Sequence, residues 1–341
     1  MRNKNNRQIN ILIIRFKSIG DIILTLPAVH ALRANFPEAR ITYLTRSSNA
    51  ALLQGFREVD RVITTNRTAM KTPLTALAEL FRLIRLMRAG QYTHVADLQG
   101  YGETAWLSRL TGAPNRWSII YSRGRKWAYT RSVERNSRLH PVERDLQLLQ
   151  ACGLKTVAPV NRFHLPEPLL SEASIYFAIH HLDPESPTLL IHPFTSAEKK
   201  NWPLEKYLAV AEYWRASGIQ VIFTGSTADR EKMKPVLARK FPVFTGQSLL
   251  ISAGLLKLST LVLGGDTGML HLAVAQGKRT LMLFNNRSAG RAAPFQHNEW
   301  VIDISGNRSI KDIPAKAVID ACGQSFPAAH IFHHRRTAAA M

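Results

Sequence analysis

The chain has 341 residues, of which 45% are hydrophobic, and a formal net charge of +21. This length is enough for two domains with substantial cores, and no apolar run is long enough to span a membrane. The run at Asn10–Phe16 is short and is closed by Arg15 and Lys17, which disfavours a secretory signal. The two cysteines, Cys152 and Cys322, lack metal-ligand spacing and are typical of a reducing compartment, so we expect a cytoplasmic protein.

The positive charge is concentrated in the first half of the chain. Residues 1–165 contain 26 Lys and Arg against 10 Asp and Glu, a net +16, whereas residues 166–341 contain 19 against 14, a net +5. Such an excess implies an anionic partner for the first half. Nucleic acid, an anionic membrane surface and a phosphorylated substrate each satisfy that requirement.

Short apolar runs alternate with helical patterns along the first half, which predicts βαβ units and a parallel sheet. A turn at Lys17–Asp21 is expected after the first strand, followed by a helix at Ile22–Asn35 with Pro27 in its first turns, where proline is tolerated. The predicted strands are Ile9–Phe16, Arg40–Thr45, Arg61–Thr65, His94–Leu98 and Trp117–Tyr121.

Leu74–Met87 has the spacing of an amphipathic helix, with Phe81, Ile84 and Met87 predicted on its core face. Three arginines, 82, 85 and 88, follow another face. This basic edge is interpreted either as an ordinary solvated face or as a contact with anionic lipid.

Arg123–Arg138 is dense in basic residues and also contains Trp127 and Tyr129. Basic and aromatic residues in alternation are typical of a nucleic-acid groove. A loop that holds the phosphate groups of a small substrate accounts for the same composition.

Three prolines in Pro159–Pro168 mark a predicted linker between residues 1–165 and a second α/β domain at 166–329, before a disordered tail at 330–341. Ligands bind at the carboxyl ends of strands in such sheets, so we expect the active site in a cleft between the domains. In the second domain, strands are predicted at Thr188–Pro193, Gln220–Thr224, Val243–Thr245, Thr260–Gly264 and Arg279–Phe284, and helices at Leu204–Ser217 and Leu249–Leu258.

The stretch Leu261–Gly277, LVLGGDTGMLHLAVAQG, predicts a buried strand, a glycine turn and a helix. The backbone N–H groups of Thr267, Gly268 and Met269 then face the space above the sheet, where an anion such as a diphosphate binds well. Asp266 would repel a diphosphate, so it either accepts from sugar hydroxyls or caps the helix.

Three further stretches follow predicted strands. Asp21 stands at the end of the first strand, where it suits a general base or a helix cap. Lys200, in TSAEKKNWP, suits phosphate binding or plain solvation, and Gly225 with Asp229 suits ribose binding.

Taken together, SIGDIILTLPAVHALR, TSAEKKNWP and GGDTGMLHLAVAQGK resemble glycosyltransferase family nine, the ADP-heptose:lipopolysaccharide heptosyltransferases. The resemblance runs across nearly the whole chain. It implies an α/β GT-B fold, with two Rossmann-like domains whose parallel sheets face each other across a cleft.

The resemblance also implies site residues, with Asp21 as catalytic base. The donor is expected to contact Thr195, Ser196, Lys200, Gly225, Asp229, Asp266, Thr267, Gly268, Met269 and His271. The acceptor is expected to contact Arg15, Lys17, Ser18, Gly20, Gln99 and Arg144. Lys199 and Asn201 depart from residues common in the family, an acid and a histidine, and leave the donor sugar open.

The implied reaction is an inverting transfer of heptose from ADP-heptose to a phosphorylated, lipid-linked inner-core sugar. We expect no metal, because a helix end and a lysine meet the leaving charge, and no other cofactor. The expected partners are the donor, the anionic acceptor and the cytoplasmic face of the inner membrane, but no nucleic acid, and we expect a monomer. The alternatives are another nucleotide-sugar donor, an epimerase of the same fold, an inactive family member and a polyanion-binding protein.

Overall fold

The computed structural model describes residues 8–65, 72–285, 290–303 and 309–326. The predicted tail, residues 330–341, lies outside these ranges. The chain divides into two units, Met1–His164 and Leu165–Met341, each of which contains a parallel six-stranded sheet.

The sheet of the first unit has the order β3-β2-β1-β4-β5-β6. Its strands are β1 (Asn10–Ile14), β2 (Arg40–Arg46), β3 (Arg61–Thr65), β4 (His94–Asp97), β5 (Asn115–Ile120) and β6 (Arg131–Glu134). Its helices are α1 (Ile19–Ile23), α2 (Leu26–Asn35), α3 (Pro73–Ala89), α4 (Gly102–Leu110) and α5 (Pro141–Ala151).

The sheet of the second unit has the order β12-β11-β10-β7-β8-β9. Its strands are β7 (Thr188–His192), β8 (Gln220–Gly225), β9 (Val243–Thr245), β10 (Leu261–Gly265), β11 (Arg279–Phe284) and β12 (Val301–Asp303). Its helices are α6 (Glu167–Ile179), α7 (Leu204–Ala216), α8 (Lys234–Ala238), α9 (Leu249–Leu258), α10 (Gly268–Ala275) and α11 (Ala315–Gly323).

Counted within each unit, both sheets have the Rossmann strand order 3-2-1-4-5-6. The direction of winding reverses between β1 and β4 in the first unit and between β7 and β10 in the second. Helices cover both faces of such sheets, which explains why the central strands read as continuous apolar runs. Residues 11–14 of β1 and 261–263 of β10 are fully buried. The α/β prediction with parallel sheets is confirmed.

Several local predictions were wrong. The helix predicted at Ile22–Asn35 is two helices, because Pro27 has no N–H to offer the carbonyl group four residues earlier and stands instead in the first turn of α2. The turn predicted at Lys17–Asp21 ends early, since α1 already begins at Ile19. The predicted linker Pro159–Pro168 ends inside α6, which begins at Glu167 with proline in its first turn.

The basic stretch Arg123–Arg138 is not a loop throughout. It contains a 3₁₀ helix, Arg123–Ala128, and then β6, an edge strand that pairs with β5. On α3 the core face is formed by Leu83 and Met87, whereas Phe81, predicted to be in the core, is 62% exposed.

Candidate active site

Asp21 lies at the carboxyl end of β1, where it forms an ion pair with Arg15. The Arg15 Nη2 to Asp21 Oδ1 distance is 2.9 Å. The other carboxylate oxygen accepts from the backbone N–H and the hydroxyl of Ser18, the N-cap of α1. Because 38% of its side chain is exposed, Asp21 is both fixed in orientation and accessible to a substrate.

Buried groups hold the segment between β1 and α1, the helix that carries Asp21. Arg15 also donates to the carbonyl oxygen of Leu98, at the end of the neighbouring strand β4. The side-chain oxygen of Gln99 accepts from the N–H groups of Phe16 and Lys17, each at 3.1 Å. Gln99, predicted to bind the acceptor, therefore positions the backbone before Asp21.

Asp97, in β4, is fully buried and ties the basic stretch to the sheet. Its carboxylate accepts from the N–H groups of Gln99 and Gly100 and from the hydroxyl of Tyr129 at 2.6 Å. Burial raises the pKa of Asp97, although these hydrogen bonds oppose the shift. Tyr129 thereby anchors the segment between the 3₁₀ helix and β6.

The other residues predicted to bind the acceptor are Lys17, Gly20 and Arg144. Lys17 is exposed and lies over the ring of Tyr101, and Gly20 is buried in α1. Burial lowers the pKa of Arg144 on α5, and the positive charges of Arg135 and Arg15 lower it further.

Asp145, on α5, was not predicted from the sequence. This residue is 5% exposed, and burial raises its pKa to about 7, although Arg15 and Arg144 oppose that shift. Asp21 adds to it, so the two carboxyl groups influence each other. The helical period does indicate that Asp145 is buried, because Val142, Asp145 and Leu149 share one face of α5.

In the second unit, Asp266 follows β10 and contacts a lysine and a histidine. Lys200 Nζ lies 2.8 Å from Asp266 Oδ2, and His271 Nε2 lies 3.3 Å from Oδ1. Burial opposes ionisation, but the hydrogen bonds and charges of His271 and Lys200 outweigh it and lower the pKa of Asp266 to about 2. Asp266 is therefore a carboxylate at neutral pH.

The capping interpretation of Asp266 was wrong, because the N-cap of α10 is Thr267. The Thr267 hydroxyl makes no capping bond and is buried without a partner among the described residues, as is His271 Nδ1. Buried polar atoms of this kind are normally satisfied by a ligand or by water. Gly268 and Met269 open α10, so their N–H groups belong to its first turn.

The two glycines before Asp266 are required by close packing. A Cβ on Gly264 would lie 2.4 Å from the carbonyl oxygen of His192, and one on Gly265 would lie 2.8 Å from Thr195 Cγ2. The end of β10 therefore packs directly against the end of β7 and against Thr195 in the segment that follows β7, which brings Lys200 to Asp266.

A cavity of about 190 Å³ opens beside this ion pair. It combines three charged side chains with three apolar ones, which suits a ring that carries polar substituents. Its walls are Lys200, Asp266, Leu283, Phe284, Asn285, Arg291 and Ile310. Arg291 and Asn285 were not predicted, since no motif surrounds them.

Four more of the residues predicted to bind the donor lie at or after the ends of β7 and β8. The Thr195 hydroxyl donates to the carbonyl oxygen of Ala197, whereas Ser196 is exposed. Gly225 ends β8, and Asp229 accepts from both the N–H and the hydroxyl of Ser226 in the turn that follows. Asp229 thus has an assigned structural role, and ribose binding by it stays a prediction.

No group of three or more His, Cys, Asp or Glu side chains within the described ranges is placed to hold a metal ion. Across the same residues, no helix is long and apolar enough to cross a membrane. The expected absence of a metal remains a prediction.

Comparison with known proteins decides the family. The model of glycosyltransferase family 9 (heptosyltransferase) matches residues 80–313, more than half of the chain. The chain belongs to glycosyltransferase family 9. The resemblance inferred from the three motifs is therefore confirmed, and the protein is a glycosyltransferase.

Named relatives agree with this family assignment. The chain is 22% identical to the lipopolysaccharide core heptosyltransferase OpsX of Haemophilus influenzae over 311 residues, 88% of this chain and 86% of that one. A family 9 structure from Veillonella parvula aligns with a TM-score of 0.84 at 20% identity, covering 93% of this chain and 96% of that one. The Escherichia coli heptosyltransferase WaaC with ADP-2-deoxy-2-fluoro heptose aligns at 0.74 and 20%, covering 93% and 100%. These likenesses show the GT-B fold.

Proposed function

We propose that this family 9 enzyme transfers heptose, with inversion, from ADP-heptose to a phosphorylated inner-core sugar of lipopolysaccharide. The observation that carries the proposal is the Lys200–Asp266–His271 cluster at the N-terminus of α10. A carboxylate and two potential cations at a helix N-terminus suit a ligand that joins a diphosphate to a polyhydroxylated sugar. The names of the relatives support heptose, ADP and lipopolysaccharide.

The acceptor hydroxyl loses its proton to Asp21 as its oxygen attacks the anomeric carbon from the face opposite the leaving group. General-base catalysis of this kind contributes roughly 10²–10⁴-fold. Arg15 and Ser18 support the role, because they fix the carboxylate while leaving it exposed. The transfer forms the new glycosidic bond and breaks the bond from the sugar to the diphosphate.

The departing ADP gains charge on its terminal phosphate. The N–H groups at the start of α10 and the Lys200 ammonium stabilise that charge. Among the described residues, Lys200 uses one of its three N–H donors, on Asp266, so two remain for phosphate oxygens. This is the basis for proposing a reaction that needs no divalent cation.

The acceptor half of the proposal rests on charge. The net +16 of residues 1–165 complements a phosphorylated acceptor. Arg144 and Lys17 lie near Arg15, the ion-pair partner of Asp21. An acceptor of this kind is linked to lipid, so the enzyme would work at the cytoplasmic face of the inner membrane. Another nucleotide-sugar donor is the alternative, which departures at Lys199 and Asn201 keep open.

Calorimetric titration with ADP, UDP and GDP, each with and without EDTA, tests the donor. We expect selective binding of ADP that EDTA leaves unchanged and that Lys200→Ala weakens by about tenfold or more, because a charged hydrogen-bond donor to phosphate is lost. Lys199→Ala is the matched control, since Lys199 is an exposed lysine of the same 3₁₀ turn. Preference for UDP or GDP would reject ADP-heptose, and loss of binding in EDTA would reject the metal-free proposal.

A further inference from the structure

The helix α3 exposes a set of large apolar side chains. Leu74 is 78% exposed, Phe81 62%, Leu77 49% and Leu80 43%. Single exposed apolar residues are ordinary on protein surfaces, but contiguous groups of this size mark interaction sites. We therefore expect these exposed side chains of α3 to contact a binding partner.

Helix geometry places the most exposed residues in one line. At 100° per residue, Leu74, Leu77 and Phe81 fall within an arc of roughly 60°. Leu83 and Met87, which are buried in the core of the unit, point the opposite way. The helix thus has two apolar faces, one inside the protein and one toward solvent.

Arginines continue the outer face toward the C-terminus of the helix. Arg85 and Arg88 are both exposed and lie on the same side as the apolar line. Arg82 is engaged elsewhere, because it donates to Glu79 and to the carbonyl oxygen of Thr64. Leucine and phenylalanine beside arginine form the pattern of a helix that lies in the plane of an anionic lipid surface.

We propose that α3 docks the enzyme on an anionic bilayer, with Leu74, Leu77 and Phe81 inserted among the lipids and Arg85 and Arg88 against their phosphates. Charge complementarity selects lipid over a second copy of the chain. Two copies of a unit that each carry a net charge of +16 repel each other, whereas an anionic leaflet attracts the unit together with Arg85 and Arg88. The choice of a bilayer rests on the proposed function, which supplies a lipid-linked acceptor.

Flotation of the purified full chain with vesicles tests the docking. Vesicles of equal parts phosphatidylcholine and phosphatidylglycerol should bind the wild-type protein, and the triple variant L74S/L77S/F81S should bind about tenfold or more weakly, because its apolar insertion is lost. The matched control is I175S/I179S, which alters two residues of α6 that are 57% and 66% exposed. This control should bind like the wild type.

The arginines are tested separately. R85Q and R88Q should each weaken binding to the anionic vesicles by roughly fivefold. Neither should change the weaker binding to pure phosphatidylcholine. Equal effects on both vesicle types would reject the proposed phosphate contacts.

Docking and catalysis can fail independently. The triple variant should transfer sugar to detergent-solubilised acceptor at the wild-type rate, whereas failure of the wild type in that assay would count against the proposed function alone. Wild-type vesicle binding by the triple variant would overturn the docking proposal. A wild-type dimer that becomes a monomer in L74S/L77S/F81S, measured by light scattering, would also overturn it in favour of a second copy.

Discussion

Lys200 Nζ and Asp266 Oδ2 lie 2.8 Å apart although 66 positions separate the two residues in the chain. The ion pair joins the segment after β7 to the turn after β10, on the two sides of the switch point of the second sheet. Lys200 has donors left for phosphate, whereas Asp266 offers only acceptors. In the proposed function, Lys200 therefore binds the diphosphate of the donor and Asp266 binds the hydroxyl groups of its sugar.

This division predicts opposite effects of Asp266→Asn on two ligands. ADP binding should stay unchanged or become tighter, because a negative charge near the diphosphate is removed. ADP-heptose binding should weaken by about tenfold, because the sugar hydroxyls lose a charged acceptor. Calorimetry with both ligands measures this, and equal weakening of both would contradict the assignment of Asp266 to the sugar.

Asp21→Asn should lower kcat by roughly 10²–10⁴-fold while leaving ADP binding intact, because the amide cannot take the proton of the acceptor. The amide oxygen can still accept from the Ser18 N–H, so α1 should stay capped. Asp312→Asn is the matched control, since Asp312 accepts from Ser309 in a similar capping box far along the chain. Normal turnover in Asp21→Asn would exclude Asp21 as the base.

The central strands of both sheets were predictable because each is a continuous apolar run bounded by turn residues. β6 and β12 were missed, since edge strands pair through their backbones and need no apolar run. The order of the strands required the family resemblance or the structure. Parallel alternation fixes the class of the sheet but not which strands are neighbours.

Within the candidate site, the sequence motifs identified single residues but not the contacts between them. Asp266 was singled out, but its pairing with Lys200 joins distant segments and cannot be inferred from local spacing. Asp145 was not singled out, although its spacing places it on the buried face of α5. Phe81 was predicted to lie in the core because of its helical spacing, but its side chain faces solvent.

Gly264→Ala should destabilise the second unit by about 1–3 kcal/mol, because the new methyl group would overlap the carbonyl oxygen of His192 and press on Leu270. Gly102→Ala is the matched control, since a Cβ there meets nothing within 4 Å. Urea denaturation of both variants measures the change in the free energy of unfolding. Equal stability of the Gly264→Ala and Gly102→Ala variants would contradict the close packing at the end of β10.

Asp145 predicts an unusual dependence of stability on pH. Its pKa is about 7 in the folded protein, whereas an exposed aspartate has a pKa near 4. Between these values the folded state keeps a proton that the unfolded state has released. The contribution of Asp145 to the free energy of unfolding should therefore fall as pH rises through this window, by about 1.4 kcal/mol per pH unit at most.

Asp145→Asn should remove that contribution, so the variant should be about as stable as the wild type at pH 4 and more stable than the wild type at pH 8. Asp266 cannot mimic the effect, because its pKa of about 2 contributes stability that is lost only as pH falls below about 4. Asp320→Asn, at an exposed carboxylate on α11, is the control. Urea denaturation from pH 4 to pH 8 measures all three proteins, and parallel curves for the wild type and Asp145→Asn would contradict a raised pKa of Asp145 in the folded protein.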